Sequence, residues 1–96
     1  MVNEYTYRTI DIERRGVGRR YTWLPVDSLD RGSFTIDCTG AYVRPAMYDI
    51  RPGDIVRWRE GAVLVEGVIS HVDVGSERFS ATIEQAHPLP PETFCP

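Results

Sequence analysis

The 96-residue chain has no lysine, only two cysteines and two histidines, and no long apolar run. Because a membrane-spanning helix needs about 20 mostly apolar residues, the sequence predicts none. The N-terminus, MVNEYTYRTIDIERR, is polar rather than basic and then apolar, so we expect no signal peptide. With 42% hydrophobic and 26% charged residues, the composition is typical of one soluble globular domain with a modest core.

Cysteine and histidine are also too scattered to predict a metal site or a catalytic set. Cys38 and Cys95 form no CxxC pair and have no histidine at ligand spacing, so two free thiols are expected in a reducing compartment. A disulfide from Cys95 to Cys38 or to a neighbouring chain is the alternative. His71 lies near Asp73, but no GxSxG context accompanies it. We therefore predict a protein that is not an enzyme, with no catalytic residues, metal, cofactor or small-molecule substrate.

The missing lysine means that all 11 basic residues are arginine. A GC-rich genome explains this bias, and guanidinium groups also suit protein interfaces because their planar fork makes paired hydrogen bonds. The net charge of −3 argues against a general polyanion-binding domain. Four arginines surround a two-glycine loop in RRGVGRR (14–20): Arg14, Arg15, Arg19 and Arg20. They predict either a solvated hairpin tip or ion pairs with another subunit. Binding of nucleic-acid phosphates is a third alternative, ranked after these two.

Short alternating segments with turn residues between them dominate the rest of the chain. Strand patterns occur at 4–12, 20–26, 33–39, 55–59, 62–74 and 78–86, whereas no stretch of ten residues has helical periodicity. A single helical turn fits 45–49, and Gly67 inside a strand predicts a bulge or bend. Alternation predicts Phe34, Ile36 and Cys38 on one face of their strand and Phe79, Ala81 and Ile83 facing inward on theirs. Asp54, which follows Pro52-Gly53, is expected to hydrogen-bond its own turn. We predict one all-β domain over residues 1–86, a small barrel or sandwich of six to eight short antiparallel strands.

The C-terminal segment HPLPPETFCP (87–96) contains four prolines and predicts an extended arm. Leu89 and Phe94 are its candidate anchors into a neighbouring subunit. In RWR (57–59), strand alternation predicts a buried Trp58 between outward-facing Arg57 and Arg59. The other aromatic residues are expected to fill the core or an interface, although a stacking platform for single-stranded nucleic acid is an alternative.

Residues 51–74 resemble a motif of tail and baseplate hub proteins of tailed bacteriophages. The motif consists of a PGD turn and a strand, a glycine-containing hairpin, and a further apolar strand with an internal glycine. Here it reads RPGDIVRW, EGAVLVEG and VISHVDV. These segments also resemble a looser version of the motif in phage head-tail joining proteins, which are small β-barrels.

The resemblance implies a β-barrel that docks into a ring of identical subunits and bridges layers of the virion. It implies copies of the chain and other virion proteins as partners, and location in a virion made in the host bacterial cytoplasm. We expect assembly through strand edges, arginines and the proline arm. The motif is structural, so it carries over no functional residues. Because PGD turns also precede strands in SH3-like and OB-like barrels, a nucleic-acid-binding module is the alternative.

Overall fold

The computed structural model describes residues 8–90 and shows an all-β domain. Seven antiparallel strands form one curled sheet, a half-barrel, which confirms the predicted fold class and strand number. A short 3-10 turn at Pro45–Met47 falls where one helical turn was expected. The strands are β1 (Arg8–Arg14), β2 (Gly18–Val26), β3 (Ser28–Leu29), β4 (Ser33–Asp37), β5 (Ile55–Glu60), β6 (Val63–Val74) and β7 (Arg78–Pro88).

The strand order in the sheet is β2-β1-β5-β6-β7-β4-β3, with each neighbouring pair antiparallel. Strands β2 and β3 stand at opposite edges of this order, yet only Asp27 separates them in the chain. The Asp27 N–H donates to the Thr35 carbonyl on β4 at 2.8 Å. The chain itself therefore joins the two edges of the sheet and forces it to curl.

Alternation along the strands places the apolar residues on the inner face. Phe34, Ile36 and Cys38 are buried, as are Phe79, Ala81 and Ile83, so both predicted inward faces are confirmed. The rings of Phe34 and Phe79 stack with centroids 6.2 Å apart. Trp58 is also buried in this core, as the RWR pattern predicted.

Gly67 lies where β6 and β7 lose their regular register, as predicted. Between the pairs Glu66↔His87 and Val68↔Glu84, β7 contains one residue more than β6, and Gln85 there has a φ of 60°. A Cβ at position 67 would lie 2.5 Å from the Ile83 methyl Cγ2. Only glycine lets the two strands approach this closely at the bend.

Strand β7 runs to Pro88, past the predicted domain boundary at residue 86. Pro88 pairs with Val65, and the Leu89 N–H donates to the Leu64 carbonyl at 2.8 Å. The first residues of the predicted arm therefore continue the sheet. The remainder of the arm, residues 91–96, and the start of the predicted strand at 4–7 lie outside the described residues. Among residues 8–90, no helix is long and apolar enough to span a bilayer.

Candidate functional site

An open groove of about 1170 Å³ is lined by residues of β1, β5 and β6 and bounded by residues of β2, β3 and the start of the C-terminal segment. Five arginines line it: Arg8, Arg19, Arg31, Arg57 and Arg59. Four carboxylates line it as well: Asp11, Asp30, Glu60 and Glu66. The apolar part of its lining includes Trp23, Leu29, Leu64 and Leu89. The groove is therefore mixed in charge and partly apolar.

Ion pairs between neighbouring strands hold the floor of the groove. Arg57 on β5 donates from Nη1 to Glu13 Oε1 on β1 at 2.7 Å and from Nε to Glu66 Oε2 on β6 at 2.9 Å. The hydrogen bond from Arg57 lowers the pKa of Glu13. Because Arg57 is engaged on both sides, its charge is largely neutralised by the domain itself.

A second pair lies at the end of the groove and ties β5 to the β3–β4 turn. Arg31 Nη2 donates to Glu60 Oε1 at 2.9 Å, and this hydrogen bond lowers the pKa of Glu60. The indole Nε1 of the buried Trp58 donates to Glu60 Oε2 at 3.2 Å. The Trp58 nitrogen, the one polar atom of that side chain, thus has a partner at the edge of the core.

Trp23 is the most unusual side chain of the groove, because it is 76% exposed and its backbone has a φ of 56°. It sits in a bulge of β2, where residues 21–24 oppose residues 10–12 of β1. The Trp23 N–H donates to Asp11 Oδ1 at 2.8 Å. A left-handed non-glycine residue costs about 1–3 kcal/mol and persists only where surrounding contacts hold it. The fold therefore holds a large indole outward at a fixed place.

The predicted arginine loop forms the β1–β2 hairpin tip, but Arg14 points back into the domain. Its Nε lies 2.9 Å from Asp54 Oδ1, and its Nη2 lies 3.0 Å from Asp54 Oδ2. Asp54 is only 2% exposed and also accepts the Arg51 N–H at 2.9 Å, which confirms the expected turn hydrogen bond. The paired hydrogen bonds from Arg14 compensate a buried carboxylate that would otherwise be costly.

Asp49 extends this network to the surface. It contacts Arg14 and Arg20 of the hairpin and accepts a hydrogen bond from Arg51 Nε at 3.1 Å. Hydrogen bonds from Arg14 and then Arg20 lower the pKa of Asp49 to about 2. Two of the four predicted interface arginines are thus engaged within their own chain. Arg15 and Arg19 are exposed, and pairing with another subunit stays a prediction.

A second exposed region lies in the connection between β4 and β5. We call Tyr42, Val43 and Met47 the loop surface, because they are 98%, 42% and 65% exposed. Arg44 anchors this connection by donating from Nη2 to the Ser76 carbonyl at 2.7 Å, and Pro45 beside it is buried. The contacts of Arg44 and Pro45 hold the three apolar side chains outward.

The remaining candidate residues of the sequence are the cysteines, the anchors of the C-terminal arm and His71. Cys38 is buried, whereas Cys95 and Phe94 lie outside the described residues, so the disulfide and the Phe94 anchor stay predictions. Leu89 is half-buried and lines the groove of its own chain. His71 is exposed on β6. Within residues 8–90, no group of three His, Cys, Asp or Glu side chains is arranged to hold a metal ion.

Sequence reasoning missed both the exposed indole of Trp23 and the loop surface. Trp23 directly precedes Leu24-Pro25 within β2, and this local sequence does not reveal a left-handed backbone. Comparison of the chain with protein-family models, with curated proteins and with solved structures gives no match in any of the three. The groove and the loop surface themselves carry the functional argument.

Proposed function

We propose that this domain is a structural subunit of a tailed-bacteriophage virion, in the tail, neck or baseplate, that assembles in a ring with copies of itself. The observation that carries the proposal is that large apolar side chains are held outward at two separate places, Trp23 and Tyr42. Trp, Tyr and Met are the residue types enriched in protein interfaces and their hot spots. The resemblance of residues 51–74 to hub proteins supplies the kind of assembly.

The groove fits a macromolecular partner better than a small ligand. Its volume of about 1170 Å³ exceeds the 300–1,000 Å³ or so that is typical of small-molecule pockets, and it is open to solvent. Its polar floor is occupied by ion pairs of the domain itself, such as that of Arg57 with Glu66. A partner that covers a broad surface, as a neighbouring subunit does, makes use of such a shape.

Side-chain contacts suit this assembly better than the addition of a strand at β2. This edge strand carries Pro25, which has no N–H to donate, and the bulge at Trp23, which interrupts regular pairing. Arg19 and Arg20 add charge to the same edge. Bulges, prolines and charges are the devices that protect sheet edges from strand addition. At β2 we therefore expect contact through the indole rather than through the strand edge.

The mass of the native particle tests the proposal. Light scattering of the full chain, at protein concentrations of tens of micromolar and above, should give a multiple of the 10.9 kDa chain mass. Negative-stain images should show closed rings, and assembled virions of the source phage should contain the chain in stoichiometric amount. A monomer at every concentration, absent from virions, would contradict the proposal.

A nucleic-acid-binding module is the second candidate, favoured by the five arginines and the exposed Trp23 in one groove. Bases stack on such indoles while arginines contact phosphates. Four carboxylates in the same groove and the net charge of −3 oppose it. Titration of a labelled single-stranded oligonucleotide distinguishes the two, because nucleic-acid binding should weaken by orders of magnitude between about 50 and 200 mM salt.

A further inference from the structure

The groove and the loop surface lie toward opposite ends of strand β6. Leu64, in the groove, is the second residue of this 12-residue strand. The loop surface is tied to the far end, because Arg44 donates to the Ser76 carbonyl just after β6 ends at Val74. A strand of this length covers on the order of 30 Å even when bent, in a domain whose longest dimension is 42 Å. The two surfaces therefore share no residue and are well separated.

We propose that subunits bind head to tail, with the loop surface of one copy (Tyr42, Val43, Met47) packed into the groove of the next against Trp23. This inference rests on the proposed assembly and specifies which surfaces meet. The occupant of the groove is a second copy of this chain.

The two surfaces are complementary in apolar character. Tyr42 of the loop surface is almost completely exposed, whereas the groove is an open concavity. The groove offers the indole of Trp23 together with Leu29, Leu64 and Leu89. A thioether such as that of Met47 makes favourable contacts with an aromatic ring. Packing the two surfaces together therefore removes apolar side chains of both from water.

Charge also favours this pairing. The groove lining has five arginines against four carboxylates, and Glu13 pairs with Arg57 beneath it, so the groove is close to neutral. The segments around the loop surface, 37–44 and 73–78, contain three carboxylates and two arginines, a net charge of −1. Glu77 is next to the loop, because its Oε1 accepts the Thr39 hydroxyl at 3.2 Å. Two negatively charged loop ends repel each other, whereas a nearly neutral groove does not repel a loop end, so charge favours loop-to-groove contact over loop-to-loop contact.

A contact between two different surfaces is heterologous, and its repetition generates a closed ring or an open filament. A contact of Trp23 with its own copy would instead stop at a dimer. The inferred pairing therefore explains how contact between these two surfaces generates a ring.

Two variants, each lacking one surface, test the pairing. Trp23→Ala removes the groove anchor but keeps the loop surface, whereas Tyr42→Ala with Met47→Ala removes the loop and keeps the groove. Each variant alone should be monomeric by light scattering. An equimolar mixture should form a one-to-one dimer that grows no further, because each dimer uses one intact loop and one intact groove. Formation of this dimer also shows that both variants are folded.

Matched variants control for the substitutions. Val17→Ala removes an exposed apolar side chain, 62% exposed, from the hairpin tip outside both surfaces and should assemble as the unmodified chain does. Trp23→Asn removes the indole but keeps a residue that tolerates the left-handed backbone, so it should behave like Trp23→Ala even if that variant folds poorly.

The outcomes separate this inference from the proposed function. If the unmodified chain assembles and the mixture of variants stays monomeric, the head-to-tail pairing is wrong while the proposed function stands. If both variants assemble unaided, the pairing is likewise wrong. A monomeric unmodified chain overturns the proposed function and the pairing with it. Salt-sensitive oligonucleotide binding that Trp23→Ala abolishes would assign the groove to nucleic acid instead.

Discussion

Two regions of this domain use arginine and carboxylate side chains in opposite ways. In the hairpin network, Arg14 is 16% exposed and pairs with Asp54, whose side chain is 3% exposed. In the groove, Arg31 and Glu60 pair at the same distance of 2.9 Å while 48% and 36% exposed. Buried charges must be compensated, whereas exposed pairs are screened by water and contribute little. The same chemistry therefore holds the fold in the first region and leaves the second available to a partner.

The largest expected effect is that of Arg14→Ala, which leaves the carboxylate of Asp54 buried without its partner. Breaking one half of a buried pair is strongly destabilising, so the Tm should fall by at least about 10 °C in a domain of this size. Far-ultraviolet circular dichroism during heating measures the change. Arg15→Ala, an exposed neighbour in the same hairpin, is the control and should leave the Tm nearly unchanged. Equal losses for the two variants would contradict the assignment of Arg14 to the fold.

Acid should remove the stabilisation that Asp49 contributes to the hairpin network. Because its arginine partners lower the pKa of Asp49 from 3.8 to about 2, the folded state binds this proton less readily than the unfolded chain does. The stabilisation is therefore fully present above about pH 4 and is lost as the pH falls through about 2. Urea midpoints measured from pH 5 to pH 2 should fall, and Asp49→Asn should reduce the slope. An unchanged slope in Asp49→Asn would show that Asp49 has no such role.

Trp23→Gly should separate stability from assembly. Glycine relieves the left-handed cost of about 1–3 kcal/mol at this position and loses about 0.5–1 kcal/mol through the freedom of the unfolded chain. The free energy of unfolding should therefore rise by on the order of 1 kcal/mol, while assembly is lost. Thr22→Gly, next to it on β2, has no such strain to relieve and should be destabilised. A destabilised Trp23→Gly would show that the indole serves the fold.

The smallest expected effect is that of Arg31→Ala in the groove. Because its pair with Glu60 is exposed, the Tm should change by no more than about 4 °C. The effect should shrink further at high salt, since exposed charges are screened. Thermal unfolding at low and high salt measures both. A loss as large as that of Arg14→Ala would erase the distinction between the two regions.

Local patterns were sufficient to predict the sheet. Alternation placed Phe34 and Phe79 on the inner face, and the PGD turn predicted that Asp54 would bond its own backbone. Gly67 inside a strand predicted the bend. These features depend on neighbours two or three residues away, or on the two-residue period of a strand, so the sequence contains them directly.

The candidate sites could not be predicted in the same way. Arg14 and Asp54 are 40 residues apart, and only the antiparallel pairing of β1 with β5 brings them together. The positive φ of Trp23 accompanies a bulge opposite β1 and a hydrogen bond from the Trp23 N–H to Asp11 Oδ1. Neither partner is visible from the local sequence, and RRGVGRR looked like one uniform basic loop.

By itself the sequence determined an all-β domain, its inner faces and the glycine bend, because strand period and turn chemistry are local. The tertiary structure alone decided which arginines are internal and which aromatic side chain is exposed. Burial and charge compensation depend on residues distant in the chain, so Arg14 became part of the fold while Trp23 was left facing solvent.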